Sequence, residues 1–401
     1  MNQQGPLFLN PQVFLALALI VLGYAIGPNT KFRKVILLLG SLAFYFYFAG
    51  AAQILIILGI TTTTFFIGKL KSKGSFIIGV GINVLAIIFS KILLYDTSVK
   101  FAELRVLVPL GISFFVFEYV HYLVEVRRGN LSAERNILDF FLFGLFFPTV
   151  ISGPIKRYAN FNLQIKSLSR IATSNIFLSA RLISLGFFYK FGADQFANLQ
   201  HWGHYYNAYT GVVNGSMFLV AISLRIFLDF AGYSYIAIGI ARIFGIEIPK
   251  NFDAPYLSTS VIDFWNRWHI SLSSWVRDYL YIPLGGSRVQ FQRQIANLLI
   301  AMSIIGLWHG LGTRFLIWGL LQGIGLSVNH AVRRTFRRRN IETRNNAIVR
   351  TKVIIKWLST YLFVCISWVF FFYEPSEALR ILHAIFMSGK MATYLNLWIS
   401  L

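Results

Sequence analysis

The chain has 401 residues, 56% of them hydrophobic and only 13% charged, with a net charge of +22 and a mean hydropathy of +0.62. Soluble domains carry about 25% charged residues, so the composition excludes a protein whose main solvent is water and points to one helical membrane domain over residues 1–401. The Lys and Arg residues cluster between apolar runs, at Lys31/Arg33/Lys34, Lys69/Lys71/Lys73, Arg127/Arg128/Arg135, Lys156/Arg157/Lys166/Arg170 and Arg333 through Arg339. That is the topological charge pattern of a membrane protein, with added attraction to the anionic headgroups of the bilayer, and it argues against nucleic-acid binding.

Apolar runs recur along the whole chain, each near the length of about 20 residues that crosses a hydrocarbon core of about 30 Å. The first, Val13 to Ile26, has no basic residue before Lys31, so it lacks the basic flank of a cleaved signal and is expected to be retained as a first helix. Helices are expected near 11–28, 35–50, 52–68, 75–94, 104–125, 137–153, 173–191, 212–245, 295–308, 311–329 and 353–373, with the long 212–245 run holding more than one element. Placing the Lys31 to Lys34 loop inside puts the uncharged Gly50-Ala51-Ala52 turn outside, the Lys69 to Lys73 loop inside and the N-terminus outside. The stretch from Ile137 to Ile151 has basic loops on both sides, which a full crossing would separate; with Pro148, Gly153 and Pro154 it reads as a re-entrant hairpin. No internal repeat is present, which weighs against the commonest transporter plans. The lone cysteine, Cys365, excludes an intrachain disulfide and a multi-cysteine metal site, and is expected in the core.

The segment Asn251 to Arg288 is not ordinary membrane filler, since it holds Trp265, Trp268, Trp275 and His269 among many charges and hydroxyls. Ser260 and Asp263 have capping-box spacing, so a helix is expected to start near Val261. On it Ile262, Trp265, His269, Leu272 and Val276 share one face, and Asp263, Asn266, Arg267, Ser271 and Ser274 the other. This predicts an amphipathic helix at the interface or lining a wet cavity. His269 reads equally as a catalytic group or as a core residue orienting its neighbours. Arg267, Arg277 and Asp278 read either as an interfacial ion network or as ligand contacts.

His309 stands in Gly306-Leu307-Trp308-His309-Gly310-Leu311-Gly312, at the end of the apolar run from Ile295. An ionisable group inside a membrane usually lines a substrate path or serves chemistry, and the flanking glycines allow close approach of a substrate or a backbone. Near neutral pH a histidine can act as general base, taking the proton of an acceptor hydroxyl as its oxygen attacks an acyl carbonyl. Competing motifs are missing: no G-x-S-x-G elbow, since Ile236 follows Gly232-Tyr233-Ser234-Tyr235, no H-E-x-x-H, no phosphate loop and no paired aspartates. His201 and His204, around Gly203, are expected in a solvated loop rather than on a metal, and His121, His330 and His383 read as structural. No bound cofactor or metal is expected.

With these residues in view, the sequence resembles the membrane-bound O-acyltransferase family, and within it the bacterial alginate O-acetylation type. The resemblance rests on Asp263-Phe264-Trp265-Asn266-Arg267-Trp268-His269-Ile270-Ser271-Leu272-Ser273, then Arg277-Asp278-Tyr279-Leu280-Tyr281-Ile282-Pro283-Leu284-Gly285-Gly286, and Trp308-His309-Gly310. Upstream, Pro109 to Phe115, Phe147-Pro148, Gly153-Pro154 and Asp229-Phe230-Ala231-Gly232-Tyr233-Ser234 match in the same order, so that it covers residues 105 to 375. It implies an all-α polytopic membrane fold of about 11 transmembrane or re-entrant helices around a central tunnel, with interfacial amphipathic helices. It also implies a catalytic His309, a second family histidine at His269, and Trp308, Trp265, Asn266, Arg267, Arg277 and Asp278 at the substrate. The implied donor is an acyl-CoA, acetyl-CoA above all, reached from the cytoplasm. The implied acceptor is a hydroxyl of a cell-surface polysaccharide or an extracytoplasmic transfer protein, and the implied location is the cytoplasmic (inner) membrane. The chain departs from the pattern at Tyr235, where members of this subgroup carry an acidic residue, and at Leu401, where they continue with further helices. Two other readings stay open: a transporter or flippase with a polar pathway of His309, Asp229 and Glu118, and a subunit that recruits partners without catalysis.

Overall fold

The computed structural model describes residues 11–70, 72–95, 104, 107–205, 210–337 and 346–387. Lys71, Arg338 and Arg339 of the basic clusters, residues 105–106 of the 104–125 run, and Leu401 lie outside the described residues. The first helices are α1 (Pro11–Ala25), α2 (Thr30–Lys69), α3 (Lys73–Tyr95), α4 (Ile112–Arg128), α5 (Ile137–Leu145), α6 (Tyr158–Lys166) and α7 (Thr173–Tyr205). They are followed by α8 (Val212–Ile243), α9 (Val261–Arg267), α10 (Ile270–Val276), α11 (Phe291–His309), α12 (Thr313–Arg337), α13 (Asn346–Phe372) and α14 (Pro375–Met387). No strand occurs among the described residues, and six of the helices, α2, α3, α7, α8, α12 and α13, are long and apolar enough to cross a membrane. The protein is an all-α polytopic membrane protein.

Most apolar runs become helices where expected, and the exceptions have physical causes. The turn expected at Gly50-Ala51-Ala52 is one non-helical residue, Gly50 (φ +80), inside the 40 residues of α2. Without that break α2 would measure about 60 Å at 1.5 Å per residue, twice the hydrocarbon thickness. The 212–245 run was expected to divide; it is one continuous helix, α8, because the charges inside it are matched laterally. Arg225 donates to the Gln200 amide oxygen Oε1 at 2.8 Å, and Asp229 pairs with Lys190. Two of the charges expected in the loop after α1 are likewise not in a loop: Arg33 and Lys34 lie buried in the first turns of α2. Lys34 meets the Asp139 carboxylate at 2.6 Å, and Arg33 donates to the carbonyls of Gly27 and Leu168.

By its internal contacts the chain divides into two compact units, Met1–Gly186 with Tyr233–Lys250, and Phe187–Gly232 with Asn251–Leu401. In the first, α5 stops after nine residues, too short to cross a membrane, and the backbone that follows is irregular yet buried at Phe146, Phe147 and Val150. This agrees with the re-entrant expectation, because non-helical backbone survives at membrane depth only where protein surrounds it. Lys156 anchors the segment, donating to both Glu118 oxygens at 2.7 and 2.9 Å and to the Thr149 hydroxyl at 2.7 Å. Gly111 (φ +72) makes the corner before α4; a Cβ there would stand 1.9 Å from the Val150 carbonyl oxygen.

In the second unit α11 and α12 pack with their backbones nearly touching. A Cβ on Gly306 would stand 2.2 Å from the Phe315 carbonyl oxygen, and one on Gly319 would stand 2.4 Å from that of Met302. Gly319 and Gly323 form the small-x-x-x-small spacing by which membrane helices approach closely. This seam fixes the end of α11, where His309 sits.

Candidate active site

Ser260 caps α9 as its spacing predicts, its Oγ accepting from the Asp263 N–H at 3.1 Å. The single amphipathic helix expected beyond it does not form. α9 ends at Arg267, His269 takes the left-handed conformation (φ +43, ψ +53), and α10 restarts at Ile270. A non-glycine residue in that region costs roughly 1–3 kcal/mol and persists only where its surroundings impose it. Here Asn251 does so: its carbonyl accepts from the Ile270 N–H at 2.9 Å and its Oδ1 accepts from the Ser271 hydroxyl at 2.6 Å. The Asp253 N–H donates to the Arg267 carbonyl at 3.0 Å on the other side of the break. Apolar spacing gave no sign of this, since residues on both sides of the kink keep the same pattern.

The kink turns the His269 side chain into the interior, where it is 3% exposed. Its ring meets Phe230 edge-on at 4.5 Å and lies 6.2 Å from the Trp308 ring, while its Nε2 has no hydrogen-bond partner among the described residues. Burial first, and then the neighbouring His309, hold its pKa well below the ordinary 6.5.

His309 is half-buried at the C-terminal residue of α11. Aromatic rings enclose it: Trp308 at 4.5 Å, Phe371 at 4.9 Å, Trp318 at 5.3 Å and nearly perpendicular, and Phe315 at 6.3 Å. Trp318 is 1% exposed, stacks on Trp368, and its indole N–H is a second buried polar group with no partner among the described residues. The buried nitrogens of His269 and Trp318 therefore lie near one histidine, in surroundings where an unsatisfied polar group costs about 1–3 kcal/mol.

Of the expected substrate residues, Trp308 and Trp265 belong to this cluster. Trp265 donates its indole N–H to Gln322 at 3.1 Å, whose amide donates to the Ser367 hydroxyl at 2.7 Å, and its ring lies 6.1 Å from Trp318. Trp265, Asn266 and Arg277 also line a cavity of about 220 Å³ whose floor includes Met302 and Ile305 and whose wall includes Tyr281 and His330. Arg267 and Asp278 do not line it. Arg267 pairs with Asp263 at 2.9 Å and Arg277 with Asp278 at 2.9 Å. His201 and His204 occupy the last turns of α7, not a loop, with His204 stacked on Tyr373, and no group of three metal-ligating side chains forms among the described residues. His121 accepts from the Tyr158 N–H at 3.0 Å and His330 bonds Gln294 at 3.2 Å, both structural roles. Cys365 is buried beside the Ser223 hydroxyl at 3.0 Å.

The ordered motifs can now be set against known proteins, and the family model of the membrane-bound O-acyltransferases matches residues 41–373. The chain belongs to the membrane-bound O-acyltransferase family. It is 32% identical to the probable alginate O-acetylase AlgI of Pseudomonas aeruginosa, over 94% of this chain and 74% of that one. It is also 32% identical to the peptidoglycan O-acetyltransferase of Helicobacter pylori, again over 94% and 74%. A teichoic acid D-alanyltransferase of Streptococcus thermophilus is 36% identical over 55% of this chain and 57% of its own. As a member of the membrane-bound O-acyltransferases the protein is a membrane-embedded O-acyltransferase. Reading the sequence missed Trp318, Gln322, Ser367 and Phe371, which sit in ordinary apolar helices with no local signal and come together only by packing.

Proposed function

We propose that the protein passes an acyl group, acetyl by its subgroup, from a cytoplasmic acyl-CoA-type thioester towards a hydroxyl of an extracytoplasmic polysaccharide or transfer protein, with His309 as catalytic base. The observation that carries this reading is the enclosure of His309 by four aromatic rings beside a second, buried histidine. In the proposed step a nitrogen of His309 takes the acceptor hydroxyl proton as that oxygen bonds to the acyl carbonyl carbon. The carbon–sulfur bond then breaks and the thiol leaves with a proton. The Trp318 indole N–H is suited to receive the carbonyl oxygen as it gains charge, satisfying a donor otherwise buried without a partner. His269 positions His309, and the cavity of about 220 Å³ lined by Arg277 and Asn266 receives the acyl-bearing arm of the donor. The relatives' named acceptors, alginate, peptidoglycan and teichoic acid, support a cell-surface polymer as the acceptor class and an inner-membrane location, and the alternation of basic loops supports an N-terminus outside.

A polar transport pathway through Asp229 and Glu118 is less well supported, because each carboxylate is engaged by a lysine, Lys190 and Lys156. The test is label transfer from acetyl-CoA in proteoliposomes. His309→Ala is expected to lower transfer to acceptor, partner or water by about 10²–10⁴-fold at matched folded protein. Equal transfer by both chains would remove His309 from the chemistry.

A further inference from the structure

Basic residues at helix ends ordinarily mark the side of the membrane and offset the partial negative charge of helix C-termini. One group in this chain has a further feature. Lys69 in the last turn of α2, Arg127 and Arg128 in the last turn of α4, and Arg135 in the segment leading to α5 all line one cavity of about 730 Å³. The helix-end account covers the first three. It does not cover Arg135, and it does not require a concavity.

Four cations stand in the lining, Lys69 among them with its Nζ 4.0 Å from the Phe65 ring centroid. Glu125 is the nearby carboxylate, and it accepts from Arg128 at 3.1 Å and from Asn130 at 2.7 Å. Glu134, next to Arg135 in sequence, is committed to the Tyr158 hydroxyl, the Asn162 amide and the backbone N–H groups of Arg135 and Asn136. Among the described residues no acidic side chain lines the wall. Beside the cations the lining is apolar, with Leu70, Phe76, Leu123 and Leu131, and Leu70 and the adjacent Phe66 are exposed, as side chains against acyl chains are.

Depth decides what such a site takes. α2 and α3 both span a membrane by length and composition, and Lys69 and Ser72 lie at the turn between them. The cavity therefore opens at the boundary of hydrocarbon and water, where lipid phosphates lie. A guanidinium-lined concavity with an apolar flank at that depth matches an amphiphile carrying a phosphate head.

We propose that this cavity is a binding site for the phosphate of an anionic phospholipid, with Lys69, Arg127 and Arg135 donating to the phosphate oxygens and the apolar flank receiving the start of the acyl chains. Every lining residue belongs to the unit Met1–Gly186 with Tyr233–Lys250, while His269 and His309 belong to the other. The assignment does not depend on the catalytic reading. A soluble phosphate compound offers the same head chemistry without using the apolar flank.

The full chain, purified in detergent, is tested by native mass spectrometry and thermal shift against phosphatidylglycerol, phosphatidylcholine and inorganic phosphate. Phosphatidylglycerol is expected to be retained over phosphatidylcholine and to raise the unfolding midpoint, and Arg127→Gln with Arg135→Gln is expected to cut that retention about tenfold or more as two charge-assisted contacts are lost. Arg170→Gln with Arg333→Gln removes the same charge from exposed positions elsewhere and is expected to leave retention unchanged. If the double pocket variant fails to fold, Lys69→Gln alone gives the same reading with a smaller loss. Equal losses in the pocket and control variants would reduce the effect to bulk charge and overturn the site. Stabilisation by inorganic phosphate equal to that by phosphatidylglycerol, and lost in the pocket variant, would overturn the lipid in favour of a soluble phosphate.

Discussion

His269 combines two properties that most substitutions would change together, a left-handed backbone and a buried imidazole. Asparagine tolerates that backbone, whereas a β-branched residue resists it, so the pair His269→Asn and His269→Val separates them. His269→Asn is expected to fold with a near-native unfolding midpoint and reduced transfer, and His269→Val to lose a further 2 kcal/mol or so of stability. Equal stability of the two would show that the α9–α10 kink does not depend on residue 269. Trp318 permits a similar separation, since Trp318→Phe keeps an aromatic ring against His309 and deletes only the N–H. If that donor meets the acyl oxygen in the transition state, kcat falls by about 10²-fold or more with KM little changed; a rise in KM alone would make Trp318 a wall of the site. At this scale the sequence revealed what chemistry makes costly, an ionisable His309 in an apolar run. It concealed Trp318 and Gln322, whose neighbours in sequence are unremarkable and whose roles arise from helices distant along the chain.

Helices declare themselves by hydrophobic length, and breaks within them declare themselves only when a glycine or proline is required. Gly50 was therefore legible as a corner, whereas Gly111 fell inside the helix expected over 104–125, which starts only at Ile112. The break at His269 was not legible either, because Asn251 imposes it from outside the helix. α6 and α14 were missed for a related reason: both are short, and neither reaches the length of a spanning run. The α11–α12 seam provides a test at the level of elements. An alanine Cβ at Gly306 would meet the Phe315 carbonyl at 2.2 Å, a backbone atom that cannot swing aside, so the helices must part just before His309. Gly306→Ala is expected to cost about 1–3 kcal/mol and to depress transfer. Gly59→Ala in α2, where a Cβ meets nothing within 4 Å, is the matched control and is expected to leave both unchanged. Comparable losses in the two would assign the effect to helix glycine in general and not to the seam.

For the molecule as a whole the legible quantity was charge, and it was legible only in part. Arg33 and Lys34 counted as loop charges in the sequence, yet they are buried against Asp139 and backbone carbonyls, so a tally of basic residues overstates how much charge remains to set orientation. The proposed orientation puts Lys31 and Lys73, both exposed, on the cytoplasmic side and Ala51, exposed just beyond the Gly50 break, on the other. The single cysteine makes this directly measurable: Cys365 is buried, so it gives little background with a membrane-impermeant maleimide. In intact cells Ala51→Cys is expected to be labelled from outside, and Lys31→Cys and Lys73→Cys only after the membrane is opened. The opposite pattern would invert the proposed orientation and, with it, the side from which a thioester reaches His309. Labelling of Lys31→Cys and Lys73→Cys from opposite sides would mean that Gly50 bends α2 without returning the chain across the bilayer, leaving the 40 residues of α2 as one tilted crossing.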